Sequence, residues 1–347
     1  MRKPSYLLLP LLFVIPILLF LRPAPPLEKQ KGFNYATWWP GKYSTPESSA
    51  SLENLSRTGA EWIAPVVTAY QETIASTTLV YSAPPTPTDE DLRFVIGKAK
   101  SLGMKVMLKP HLDLSSDNKH WRGDIGKEFT TEQEWESWFA SYGEMLLHYA
   151  DLAAASGVEQ LCIGVELDGT VHRAVDWRRL AHSVRERFLG RLVYATNHIA
   201  DSSVEWWDAV DFIGVDAYYP LLVKEATASI EVARAVWESK TARLEDLSTR
   251  WGKRILFTEI GYRSVEGAWA EPWNYQAAGV VDLEGQEIAY RALLESLWHH
   301  DWLAGVFFWD WQPSLNRESP ENTDYTPFGK PAENVVKEFW RPVQDHP

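Results

Sequence analysis

Residues 160–170 read QLCIGVELDGT, an apolar run over 161–167 broken by one carboxylate, Glu166. A buried ionised carboxylate costs several kcal/mol unless it is paired or put to use. A strand that ends on one therefore delivers a functional group. Working outward, seven further runs have the same strand-like character: KGFNYAT at 31–37, WIAPVVTAY at 62–70, KVMLKPHLD at 105–113, RLVYATNH at 191–198, DFIGVDAYY at 211–219, RILFTEIGY at 254–262 and LAGVFFWDW at 303–311. Helical patterns lie between them, such as TDEDLRFVIGKAKSLG, capped by Thr88 and stopped at Gly103, and the long TTEQEWESWFASYGEMLLHYADLAAASG, stopped at Gly157. Eight strand–helix units in about 310 residues predict an α/β fold, a (β/α)8 TIM barrel forming a single domain over 31–347. A doubly wound open sheet would carry a glycine-rich phosphate turn after its first strand, and NYATWWPGKYS contains no G-x-G-x-x-G. No internal repeat, low-complexity segment or second domain interrupts the pattern.

Composition narrows the function. Hydrophobic residues at 45% and charged residues at 23% fit a globular protein. Eighteen Trp, 14 Tyr and 13 Phe exceed what a core of this size needs, and flat rings are what the apolar faces of sugars stack on. A net charge of -13 argues against a nucleic-acid partner, which would need a basic face. Residues 1–30, MRKPSYLLLPLLFVIPILLFLRPAPPLEKQ, combine a positive start, an apolar run over 6–21 and a Pro-rich exit, the pattern of a secretory signal or a signal anchor. No A-x-A site follows, and Pro25 and Pro26 disfavour cleavage, so the reading leans to an anchor with the remaining chain exported. Cleavage would leave a secreted or periplasmic protein. The single Cys162 lies in an apolar run and is expected to be a buried, inert thiol.

In a barrel, functional side chains sit at the C-terminal ends of strands. Glu166 ends the fourth run, and Glu259 in FTEIGYR ends the seventh, so both carboxylates are expected in one cleft. A separation of about 5 to 5.5 Å would suit a retaining glycosidase, and about 6.5 to 9.5 Å an inverting one. By alternation Lys109, His111 and Asp113 share one face of the third run, and His111 is placed to bond a sugar hydroxyl. By alternation Trp309 and Trp311 share a face at the end of the eighth run, and Trp38 and Trp39 follow the first; one member of each pair is expected to stack on a sugar, Trp309 and Trp38 being the candidates. Asp168 and Asp216 read as hydrogen-bond scaffolding. No metal site is expected: there is no H-E-x-x-H, and His111, His172 and His198 come from separate elements. HHDW at 299–302 precedes a strand and belongs to the opposite face.

The stretches GFNYATWW, KPHLDL, IGVELDGT, YATNH, DFIGVDAYYPL, FTEIGYRS, FFWDWQP and DYTPFGKPAENVVKEFW, one per strand and in order, resemble clan GH-A glycoside hydrolases, and within that clan family 113, known for β-mannanases. The resemblance implies retention of anomeric configuration, with Glu166 as acid/base and Glu259 as nucleophile, and no cofactor. It departs from the clan in one respect. Val165 stands before Glu166 where the clan usually has an Asn that binds the sugar 2-hydroxyl, and Asn197, ending the fifth run, is the nearest replacement.

The two roles require environments that push the carboxyl pKa values apart. Apolar Ile163, Val165 and Leu167 favour neutral Glu166, while Arg263 and the hydroxyl of Tyr218 are expected to favour ionised Glu259. The resulting expectation is a retaining hydrolase of β-linked polysaccharide, mannan-like, with substrate held by Trp38, His111, Asn197, Tyr218 and Trp309. The alternatives are a hydrolase or transglycosylase of another β-glycan, and a non-catalytic exported carbohydrate-binding barrel.

Overall fold

The computed structural model describes residues 28–199, 201–222, 229–314 and 322–341. Strands β1 (Gln30–Tyr35), β2 (Trp62–Gln71), β3 (Lys105–Leu114), β4 (Gln160–Val165), β5 (Arg191–Asn197), β6 (Phe212–Asp216), β7 (Ile255–Ile260) and β8 (Leu303–Trp311) close into a parallel barrel in sequence order. Seven α-helices follow among the described residues: α1 (Pro46–Ser56), α2 (Asp89–Ser101), α3 (Glu132–Ala155), α4 (Ala174–Arg185), α5 (Ile230–Trp251), α6 (Leu283–Leu297) and α7 (Pro331–Trp340). Thr88 caps α2 in a capping box with Asp91, and Thr131 does the same for α3 with Glu134. The β5–β6 connection departs from the repeating pattern. It is too short for a full helix and uses two 3-10 turns, Asp201–Ser203 and Trp207–Ala209. Trp206 fills the helix layer there, stacking on Trp177 at 4.8 Å.

Two cores result from strand alternation. The larger lies between sheet and helices. The smaller fills the barrel with Trp62, Ala64, Met107, Cys162, Val165, Val193, Ala195, Phe212, Leu256, Ala304 and Phe307. Below it Gln30 donates to Gln160 at 3.1 Å. Cys162 is buried in this plug, and burial pushes its thiol up to about 12.

Residues 1–27 lie outside the described residues, and with them most of the signal or anchor segment. Among the described residues no helix is long and apolar enough to cross a membrane.

Candidate active site

Three strands change register near the barrel mouth, each by one extra residue. On β7, Val215 of β6 faces Phe257 but Asp216 faces Glu259. Simple alternation from inward Leu256 would turn Glu259 toward the helices. The bulge instead lets Thr258 and Glu259 both address the interior, Thr258 donating to Asp216 at 2.7 Å. It also turns the Thr258 carbonyl inward, where it accepts from Asn34 at 3.0 Å and Lys109 at 3.1 Å. On β4 the shift falls between Cys162 and Val165. β4 therefore stops at Val165, one residue before Glu166, whose φ of 52° lies in the left-handed region. That conformation is costly for a residue with a Cβ, and here it re-aims the carboxylate to the mouth.

Glu259 is held from two directions. Lys109, fully buried on β3, donates to Glu259 Oε1 at 2.5 Å and lies 3.7 Å from Asp216. Against the penalty of burial, the Asp216 and Glu259 carboxylates raise the Lys109 pKa and keep it cationic. Tyr218 donates its hydroxyl to Glu259 Oε2 at 2.9 Å. Arg263, expected beside Glu259, turns away: its guanidinium donates to Thr323 at 3.0 Å and to the Ala277 carbonyl. The cation beside Glu259 comes instead from across the barrel, on β3.

Glu166 sits in a different environment. Its carboxylate accepts from Asn197 at 3.0 Å and lies 3.8 Å from Arg122. Burial pushes its pKa up to about 7, opposed by Arg122 and reinforced by Glu259 and Asp168. Arg122 also donates to Asp113 at 3.3 Å and to His111 Nδ1 at 3.1 Å. A guanidinium only donates, so Nδ1 accepts and the neutral ring carries its proton on Nε2. Burial, then Arg122 and Lys109, hold His111 well below the usual range, keeping it neutral. Its Nε2 lies 3.5 Å from Glu259 Oε1 without a protein hydrogen bond, a donor aimed at the space beside that carboxylate.

Aromatic rings wall this space. His111 stacks on Trp309 at 6.1 Å, and Trp38 meets Trp309 at 6.3 Å. Trp311 does not share their face, contrary to the alternation. Phe33 of β1 faces Phe308 but Tyr35 faces Trp311, so β8 gains a residue there. Trp311 is buried outside the barrel, donating to Ser51 at 3.0 Å. Trp39 is exposed beside the mouth. Asp216 is buried scaffolding under Lys109 and Thr258, and burial followed by Glu259 raises its pKa well above the usual range. Burial pushes Asp168 up to about 6. His172 packs on Trp135 at 5.1 Å, away from His111. Among the described residues no group of His, Cys, Asp or Glu is placed to hold a metal ion.

Two residues of the site escaped the sequence reading. Alternation puts Lys109 on the correct face without marking it as the partner of Glu259. Arg122 stands in the loop between β3 and α3, whose length was its only signal, since long loops at a barrel mouth are commonly functional.

The site thus holds a proton donor near neutrality beside a carboxylate tied to a cation and a phenol, the pairing that glycoside hydrolysis needs. Comparison with known proteins agrees. The model of Glycoside Hydrolase Family 113 matches residues 33–330. A complex of a GH113 β-1,4-mannanase superposes with a TM-score of 0.81 at 30% identity, covering 90% of this chain and 99% of that one. The GH113 β-mannanase AaManA from Alicyclobacillus acidocaldarius, in complex with ManMIm, gives 0.82 at 31% identity over 90% and 97%. A β-glucuronidase from Ruminococcus gnavus, at 12% identity, TM-score 0.60 and 90% and 50% coverage, shares the barrel fold alone. A search of curated proteins gave no match. Likeness that runs from the first strand to the threshold of α7, carried in sequence as well as in shape, makes this chain a member of Glycoside Hydrolase Family 113, a hydrolase of O-glycosyl bonds.

Proposed function

We propose that the protein is a retaining hydrolase of β-1,4-mannan-like polysaccharide, with Glu166 as acid/base and Glu259 as nucleophile. The observation that carries this reading is the contrast between the two carboxylates: burial lifts Glu166 to about 7, while Glu259 is bonded by Lys109 and Tyr218. In the first step a Glu259 oxygen bonds to the anomeric carbon as Glu166 gives its proton to the departing glycosidic oxygen, which leaves with the electron pair of the broken bond. In the second step Glu166 takes a proton from water, which attacks the same carbon and releases Glu259. His111 donates to a hydroxyl of the reacting sugar, Trp309 and Trp38 wall its ring, and Tyr218 holds the nucleophile. Asn197, bonded to Glu166, takes the contact to the sugar 2-hydroxyl in this reading. The mannanase neighbours support the sugar class. The same reading exports the barrel and holds it at a membrane through residues 1–30.

The test separates the two steps. Glu259→Gly abolishes turnover, and added azide then gives a glycosyl azide of inverted configuration. Glu166→Ala loses at least about 10²- to 10⁴-fold on natural glycan but still attacks activated aryl glycosides, and azide gives the retained product. Exchanged azide products would exchange the roles, and full activity in both variants would remove them.

A further inference from the structure

An exposed indole, that of Trp273, lies against the residue that follows β5. Trp273 belongs to the loop from β7 to α6 and is 47% exposed. One face of its indole stacks on His198 at 5.7 Å and 27°. His198 directly follows Asn197, whose amide bonds Glu166. Tyr325 donates to the backbone carbonyl of Pro272, the residue before Trp273, at 2.7 Å, and its ring lies 6.4 Å from that of Tyr218, the partner of Glu259. His198 thus backs the indole while Tyr325 ties down its loop, and the residue keeps about half of its surface exposed. His198 is itself 9% exposed, with Nδ1 lacking a protein partner, and burial holds it at about 4. It is thus a neutral, rigid backing for the indole.

The strand order gives this platform its place along a glycan. In a closed ring of eight, β1 and β5 are opposite. A sugar chain crossing the mouth from β1 to β5 has β2–β4 on one flank and β6–β8 on the other, with Glu166 and Glu259 on opposite flanks. Trp38 stands at the β1 end and Trp273 over β5. Glu166, on the strand next to β5, protonates the oxygen of the departing sugar, so that sugar lies at the β5 end. We infer that Trp273, backed by His198, binds the leaving-group sugar of a β-linked glycan, and that Trp38 serves the sugars retained on the enzyme. The inference rests on the proposed roles of Glu166 and Glu259.

The experiment compares Trp273→Ala and Trp38→Ala with the parent on two substrates, mannohexaose and β-mannobiosyl fluoride, whose leaving group is too small to reach Trp273. For Trp273→Ala the fall in kcat/KM on mannohexaose should exceed that on the fluoride by about 10-fold or more, with Trp273→Phe recovering part of it. Trp38→Ala should lower both alike. Equal losses on the two substrates for Trp273→Ala, or no loss on mannohexaose with Tm unchanged, would overturn the subsite. A parent inactive on both substrates would instead remove the mannoside reading and the subsite with it.

Discussion

Glu166 carries two burdens, a carboxylate that is all but 14% covered and a left-handed backbone. The first makes stability depend on pH with a definite sign. Its pKa rises from 4.5 to about 7 on folding, so its contribution is complete below the lower value and lost as pH climbs through the upper one. Glu166→Gln, which does not titrate and still accepts from Asn197, should gain stability over the parent between these limits, by up to about 3 kcal/mol at about 1.4 kcal/mol per unit. Denaturant unfolding at pH 4 and pH 8 measures the difference, and a constant offset would refute it. Tyr218→Phe removes one bond to Glu259 and leaves the ring in place. It should lower kcat/KM about 10- to 100-fold with the Tm within a few degrees, given about 1.5 to 3 kcal/mol for a hydrogen bond to a charged group. Both glutamates were legible because a carboxylate closing an apolar run has few structural uses. The partners were less so. Tyr218 followed from strand adjacency, whereas Lys109 bonds Glu259 across the barrel, a pairing that no spacing along one strand encodes.

The elements were legible as eight apolar runs, since burial and alternation dictate strands in any register. The bulges were not. Each adds a residue whose apolar or small side chain resembles its neighbours, as Thr258 and Gly164 do, so counting alternate positions misplaces Trp311 and would turn Glu259 outward. The loop from β3 to α3 signals itself only by its length and does not say which residue it delivers, although it brings Arg122 to Glu166. Because Arg122 opposes the upward push on the Glu166 pKa, Arg122→Met should move the alkaline limb of the pH–kcat/KM profile to higher pH; an unmoved or lowered limb would deny the contact. The loop is locked by close approach: a Cβ on Gly169 would lie 2.2 Å from the Ile125 carbonyl oxygen. Gly169→Ala should therefore destabilise by about 1 to 3 kcal/mol and disturb the Arg122 turn, read as a lower Tm together with a shifted alkaline limb.

At the scale of the molecule, most of the tryptophans serve packing, Trp138, Trp177, Trp206, Trp207, Trp237, Trp311 and Trp340 being fully buried, and only a few, such as Trp38 and Trp273, stay exposed near the mouth. We propose that residues 1–30 hold the barrel at a membrane. Full-length protein should sediment with membranes, and removal of residues 1–27 should release active enzyme. A soluble native protein whose chain starts near Leu27 would favour cleavage instead. The ring of strands adds an orientation to that proposal. Lys29 donates to the carbonyls of His300 and Leu303, and Lys31 to that of Trp340 at the end of α7, so both ends of the barrel emerge on the base, opposite the mouth. A hydrophobic tether at the start of β1 would seat the base on the bilayer and aim the cleft outward. Moving the tether to the end of α7 would leave that posture unchanged, and a polysaccharide too large to approach the lipid surface would still meet Trp38 and Trp273 first.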